Sequence, residues 1–405
     1  MIVENCHAAA RELSHISQTA TPAFRHAIAV VGAGDTEPAA QWIAATIACD
    51  GRRIGLLTES IEDDGEYCFG RGDSADASTD WATRCELGGV DTVVAQLDPQ
   101  SPAGAPIAPT VWCVPSLRCD GLDHAGRRRW PSAATHTQSI AGLLQDSPDT
   151  ATLVINAADQ DAVRVAASLG RRTLTFGEAE TADVRVTPLE CHHRGQNFLV
   201  HHGAESAGVS IDAPGVAARR DAAAAIAVAI ACGVPIGSAI DGLRLAPATP
   251  QRMTPLAHGQ RFPLWLDAAA RPIDLADAIR SVEAPNGRTL VALRLADDPS
   301  VARRQLATAA RMADRVFAIG ANAPGHADDG TSTDQQQAEF DNVTRIDDLV
   351  AALAVAIGLA EDGDAVLIAG VRRRDGVTLE ERIAADLVEQ RLRQETAPPT
   401  RRRAA

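Results

Sequence analysis

The stretch from Ala27 to Leu57 limits the fold most. Ala27-Ile-Ala-Val-Val-Gly-Ala-Gly34 is an apolar run that ends in glycines. A helix-like stretch follows from Ala39 to Cys49, and Gly51-Arg-Arg-Ile-Gly-Leu-Leu57 reads as the next strand. Strand, loop, helix and strand in that order form the unit of a parallel sheet, because a parallel return needs a crossover as long as a helix. Further β-like runs stand at Thr92–Ala95, Val111–Val114, Thr152–Asn156 and Arg172–Phe176, with a helical stretch at Asp161–Leu169 among them. This alternation predicts an α/β fold with a doubly wound domain. The acidic, Gly- and Ser-rich stretch Glu59–Asp80 reads as a loop.

Asp221–Cys232 is an alanine-rich helix closed by Gly233 and Pro235. Ala246-Pro-Ala-Thr-Pro250 reads as a hinge. A second α/β pattern then runs through strands at Leu264–Asp267, Thr289–Leu293, Arg315–Ile319 and Ala365–Ala369, with helices at Leu275–Ser281, Val301–Met312 and Asp347–Leu359. The expected division is an N-terminal extension (1–26), a central domain (27–248), a smaller C-terminal domain (249–380) and a helical end with a disordered tail (381–405). Asn322–Asp341 is polar and reads as mobile.

All 38 basic residues are arginine; the chain has no lysine, and its net charge is −15. An acidic surface repels nucleic-acid phosphates, so nucleic acid is not expected as a partner. No run nears the ~20 apolar residues needed to span a bilayer. Met1–Ala20 carries Glu4, Arg11 and Glu12 and has no apolar stretch of signal-peptide kind. Eight scattered cysteines without a CxxC pair read as reduced thiols of a cytoplasmic protein.

The order of segments resembles the Mur ligase family, most of all its UDP-N-acetylmuramoyl-tripeptide synthetases, from about Ala27 to Gly376. Leu117-Arg-Cys-Asp-Gly-Leu-Asp-His-Ala-Gly126 resembles the family's L-x-x-D-H-L-D-x-H-G segment. Val154-Ile-Asn-Ala-Ala-Asp159 resembles its V-x-N-x-D-D strand end. Gly233-Val-Pro235, Gln251-Arg-Met253, Ala313-Asp-Arg-Val316 and Gly363–Gly370 match further framework segments. The resemblance implies a P-loop-like doubly wound central domain, a Rossmann-like C-terminal domain, and ATP- and Mg2+-dependent amide formation through an acyl phosphate.

The segments that carry that chemistry depart from the family pattern. Where the family has G-x-x-G-K-T/S, this chain has Gly32-Ala-Gly34-Asp35-Thr36-Glu37-Pro38. An acid replaces the phosphate-cradling glycine, threonine replaces lysine, and Pro38 removes an N–H from the helix start. An arginine elsewhere is a poor substitute for a compact ammonium. Of the metal segment, Asp120 and Asp123 remain as candidate Mg2+ ligands, while the histidine is Gly121, and Thr137–Leu144 offers no lysine to carbamylate. Both asparagines of the adenine-side F-N-x-x-N are lost at Ala217–Asp221, leaving Asp221 as a candidate helix cap. Asp267 and Pro272 survive from D-Y-A-H-x-P, but Tyr and His have become Ala268 and Ala270. Arg252 stands at the hinge, and Arg303 and Arg304 are the remaining candidates for meeting an anion. Asn322–Gly325 lacks the acid and arginine of D-N-P-R, and Val371–Arg374 stands where the family has K-G-H-E. About 26 residues precede the first strand, where the family member carries a domain for the nucleotide sugar.

The expected function is that of a degenerate Mur-ligase homologue without ligase turnover. It would bind or scaffold, with a cell-wall ligase or another protein as partner and with no cofactor. Two alternatives stand beside it. One is an active ATP- and Mg2+-dependent amide ligase using Asp120 and arginines. The other is a dinucleotide-binding oxidoreductase in which Gly32-x-Gly34 meets the phosphates and Glu59 the ribose, although Glu37 takes the place of the third glycine. Cys191, His192, His193, His201 and His202 form a further metal candidate, without a CxxC or HxxxH spacing. Arg71-Gly-Asp73 is read as a chance tripeptide.

Overall fold

A computed structural model describes residues 24–70, 78–100, 107–123, 126–247, 252–282, 284, 286–320, 340–371 and 377–396. The protein is α/β and holds two sheets. The first has eleven strands. They are β1 (His26–Val30), β2 (Ile54–Leu57), β3 (Ile61–Asp63), β4 (Cys68–Gly70), β5 (Thr92–Gln96), β6 (Val111–Val114), β7 (Thr152–Asn156), β8 (Thr173–Gly177), β9 (Val184–His192), β10 (Gly195–His202) and β11 (Glu205–Ile211). Their order is β11-β10-β9-β8-β7-β6-β1-β5-β2-β3-β4. The middle, from β9 through β2, is parallel. Antiparallel strands extend both ends.

β1, β5, β6 and β7 are apolar almost throughout because helices cover both of their faces. On one face lie α1 (Glu37–Ala48) and α5 (Val216–Ala231), with Ile43, Ile47 and Ala222–Ala229 packed on Ile28 and Val30. The alanines let α5 approach the sheet closely, so a core poor in aromatics still closes. On the other face are α2 (Ser78–Leu87), α3 (Ala133–Asp146) and α4 (Gln160–Leu169), which add Trp81, Ile140 and Leu144. Helix α6 (Ile236–Leu245) leads from this domain towards the second sheet.

The second sheet orders β12 (Thr254–Pro255), β13 (Leu264–Asp267), β17 (Ala365–Ala369), β14 (Thr289–Arg294), β15 (Arg315–Ile319) and β16 (Val343–Arg345). Helices α7 (Pro272–Ser281) and α8 (Pro299–Met312) cover one face. Helices α9 (Leu349–Leu359) and α10 (Leu379–Thr396) cover the other.

Three expectations need correction. The acidic stretch after Glu59 holds the hairpin β3–β4 and the start of α2, pinned where Trp81 Nε1 donates to Asp63 O at 2.7 Å. Asp221 is no helix cap: α5 begins five residues earlier at Val216, after Gly215 with φ +101°, and Asp221 sits inside the helix. Helices α1 and α7 also start earlier than read, because Pro38 and Pro272 fit the first turn, where no N–H is required. The adhesion tripeptide, most of Asn322–Asp341, Arg372–Arg374 and the tail from Ala397 lie outside the described residues.

Candidate functional site

The turn from β1 into α1 is shaped by two glycines. A Cβ on Gly32 would meet Ser116 O at 2.8 Å, and Gly34 has φ +81°. One N–H of the helix start that follows is already taken. Asp35 Oδ1 accepts from the Glu37 N–H at 3.1 Å, and Pro38 has no N–H to offer. Thr36 Oγ1 accepts from Gln96 Nε2 at 3.2 Å. Buried Glu37 takes bonds from Thr58 Oγ1 at 2.8 Å, from Gln41 Nε2 at 3.1 Å, and from Ser60 Oγ.

The C-terminal domain reaches into this turn with two arginines. Arg252 Nη2 donates to Asp35 Oδ2 at 3.2 Å. Arg271, 4% exposed, lies against Gly34 so closely that a Cβ there would sit 2.7 Å from its Cζ. Arg271 is held by both oxygens of Asp274, each at 2.7 Å, and its Nη1 stands 4.0 Å from Asp120 Oδ1. Val216 N donates to Ser281 Oγ at 3.0 Å and Arg220 faces Asp277 at 3.5 Å, so polar contacts cross the boundary at several points.

Burial and charge act in opposite directions here. Burial raises Asp221 and Asp267 to about 6, against the pull of nearby arginines. Asp267 Oδ2 accepts from Met253 N at 2.8 Å and Oδ1 from Ala269 N at 2.7 Å, which fixes the hinge where Met253 has φ +43°. Burial would also raise Asp274, but the Arg271 guanidinium overrides it and holds the carboxyl near 2. Burial opposes the charge on Arg252, yet Asp35, Asp274, Asp267 and Asp221 together keep it more firmly protonated than a free arginine.

Two cavities flank the turn. One, of 190 Å³, lies between the domains and includes Pro38, Asp221, Arg252 and Asp267. The other, of 260 Å³, sits at the sheet's end and includes Thr36, Gln96, Trp130 and His136. Burial lowers the His136 imidazole to about 4, so it is neutral at pH 7; its ring lies edge-on to Trp130 at 5.1 Å.

Gly32, Gly34, Asp35, Thr36, Glu37, Asp120, Asp221, Arg252 and Asp267 therefore gather around one interdomain region. Asp123 lines the second cavity, bound to Arg127 through N and Nε at 2.9 Å. Arg303 is exposed on α8 beside half-buried Arg304, neither lining the cavities at the turn. Among the described residues, no group of three or more His, Cys, Asp or Glu is placed to hold a metal. The Cys191–His202 candidate is instead spread along β9 and β10. His193 Nε2 donates to Leu264 O at 3.1 Å, His201 Nδ1 meets Ser206 Oγ at 2.7 Å, and His202 Nδ1 donates to Asp183 O at 3.0 Å. Glu59 is exposed, its N–H bound to Gln96 Oε1 at 2.9 Å. Sequence reasoning missed Arg271, Asp274 and His136. The signal for the first two was there: Arg-Pro followed by an acid at i+3 marks a helix start with a built-in ion pair.

Residues 251–372 match the family model of the Mur ligase glutamate ligase domain. The UDP-N-acetylmuramoyl-L-alanyl-D-glutamate–2,6-diaminopimelate ligase of Listeria innocua is 25% identical over 232 residues, 55% of this chain and 46% of that protein. The UDP-N-acetylmuramate–L-alanine ligase of Acidothermus cellulolyticus is 28% identical over 224 residues, 52% of this chain and 45% of that one. The matches thus span about half the length of these relatives. Among solved structures, MurF from Acinetobacter baumannii superposes with TM-score 0.63 at 16% identity over 90% of this chain and 76% of that one. The folylpolyglutamate synthase of Mycobacterium tuberculosis, complexed with ADP and AMPPCP, gives TM-score 0.61 at 16% identity over 95% and 94%. At that identity the likeness speaks for the fold.

Proposed function

This chain belongs to the Mur ligase family, and we propose that it is a member without ATP-dependent ligase turnover, acting by binding. One observation carries the reading: the turn that would cradle phosphates is filled by the chain's own ion pairs. A triphosphate with Mg2+ does not fit the residues present. Asp35 uses one helix N–H and adds a negative charge, Pro38 removes another donor, and Arg271 covers Gly34. A phosphate oxygen ~4 Å from Asp35 would meet several kcal/mol of repulsion at an intermediate dielectric. Glu37, standing where the family's magnesium hydroxyl would be, is instead buried and accepts three hydrogen bonds on Oε1.

The fold so retained serves as a scaffold in peptidoglycan precursor synthesis, with a cell-wall ligase as the proposed partner. A cytoplasmic setting is supported by free thiols at the seven described cysteines. Among the described residues no helix is long and apolar enough to cross a membrane. The test is phosphate release from Mg-ATP in the presence of UDP-N-acetylmuramoyl-peptides and amino acids. Background release supports the reading; stoichiometric release with amide product overturns it.

A further inference from the structure

The outer strand of the eleven-stranded sheet is left bare. β4 ends the strand order, and none of the described strands pairs with its outer edge. Every residue from Gly65 to Gly70 is exposed, so β4 is covered on neither face. The hairpin is nonetheless held firmly at its base. Asp64 Oδ1 accepts from Glu66 N at 3.1 Å and from Tyr67 N at 2.9 Å, which closes the turn at Gly65, φ +83°. Arg84 of α2 pairs with Glu62 and, at 2.9 Å, with Asp64. A free edge is normally blunted with charge, proline or a bulge, because its unpaired N–H and C=O groups template another strand. Cys68-Phe69-Gly70 carries neither charge nor proline. Tyr67, the chain's one tyrosine, and Phe69 share a face, 58% and 52% exposed, with their rings stacked at 6.2 Å. Among the described residues no other aromatic ring is left so far in water, in a chain with only 3% aromatics.

We propose that β4 is a docking edge for an extended, arginine-bearing segment of a partner protein, which adds to the sheet as a further strand. In such an addition the backbone supplies the pairing and alternate side chains the selection. Charge sets the sign of the partner. Glu59, Glu62, Asp63, Asp64 and Glu66 stand between Thr58 and Gly70 with no base among them, and the whole chain carries −15. An acidic strand is repelled, and a second copy pairing through the same hairpin would set acids against acids. Arginine is preferred to an apolar side chain because a guanidinium stacks on an aromatic face and still meets carboxylates. That face already holds one: Phe69 lies opposite Glu62, which Arg84 binds. On the added strand, arginines two residues apart would lie across Tyr67 and Phe69. The residue between them would turn to the other face, where Cys68 lies opposite Asp63.

The full chain is titrated against a fluorescein-labelled peptide of alternating arginine and threonine, read by polarisation at ~0.15 M salt so that distant exposed charges are screened. Saturable binding in the micromolar range is expected, and none by the peptide with glutamate for arginine. Two further peptides are N-methylated, one at every arginine and one at every threonine. One of the two is expected to lose binding, because it lacks the row of N–H groups that meets β4. Tyr67→Ser combined with Phe69→Ser weakens binding of the parent peptide by about tenfold or more, while the melting temperature is unchanged because both rings are exposed. Equal binding by that variant, equal binding of both methylated peptides, or no saturable binding up to low millimolar peptide overturns the proposal. So does a concentration-dependent dimer in sedimentation that the double variant abolishes, which assigns the edge to a second copy. The proposal does not rest on the loss of turnover: phosphate release with amide product refutes the preceding reading and leaves the peptide result to decide this one.

Discussion

Replacing Arg252 by Met tests the interdomain ion network directly. Methionine keeps an apolar stem of similar length and removes the charge. Arg252 is the charge shared by Asp35, Asp221, Asp267 and Asp274. Asp274 retains Arg271, and Asp267 retains its two backbone donors. The loss therefore falls mainly on Asp35 and Asp221. Removing one partner of a buried pair costs about 3–5 kcal/mol. The Arg252 side chain is 18% exposed, so the lower end, about 3 kcal/mol, is expected at pH 8. At pH 5 the cost shrinks, because Asp221 and Asp267, raised to about 6, have taken up protons and no longer need the guanidinium. Urea unfolding followed by tryptophan fluorescence reads both values. A cycle with Asp35→Asn should give a coupling of about 1–3 kcal/mol. A loss below about 0.5 kcal/mol at pH 8, the range of an ordinary surface substitution, or additive single variants, would refute the reasoning.

Other consequences follow from the same site. Asp221→Asn should stabilise the protein at pH 8 and lose that advantage towards pH 5. A carboxyl raised from 3.8 to about 6 makes the fold less stable as pH rises across that interval, and the amide escapes this; unfolding at both pH values checks it. His136 behaves with the opposite dependence: lowered from 6.5 to about 4, it stabilises the fold above 6.5, and that contribution is lost as pH falls towards 4. NMR titration of its ring protons should show no transition near 6.5. Glu37→Ala should cost about 2–3 kcal/mol in urea unfolding, since it strands hydroxyl and amide donors in a buried site. Gly34→Ala should be destabilising by more than about 1 kcal/mol, because φ +81° and the overlap with Arg271 both oppose a Cβ.

The parallel strands were legible because β1, β5, β6 and β7 are buried on two faces and so read as unbroken apolar runs. The helices at Pro38 and Pro272 begin a few residues before the apolar pattern shows them, because proline fits a first helical turn, where no N–H is required. The β3–β4 hairpin stayed hidden because it is short, acidic and at the sheet edge, where burial writes little pattern. At the candidate site, the sequence revealed that the turn was altered but not what now fills it. Arg252 and Asp35 are 217 positions apart, and no local pattern announces a pair at that separation. Asp35 looked only like a repulsive charge, whereas it accepts the first N–H of α1 and anchors the second domain.

The central claim is that the phosphate turn is already occupied by the protein itself. Calorimetric titration of the full chain with Mg-ATP at neutral pH tests it most directly. No saturable heat up to millimolar nucleotide is predicted, for the wild type and for Asp35→Gly alike, because Arg271 still covers Gly34 in that variant. Saturable binding of the wild type in the micromolar range would contradict the account and return the chain to the working ligases.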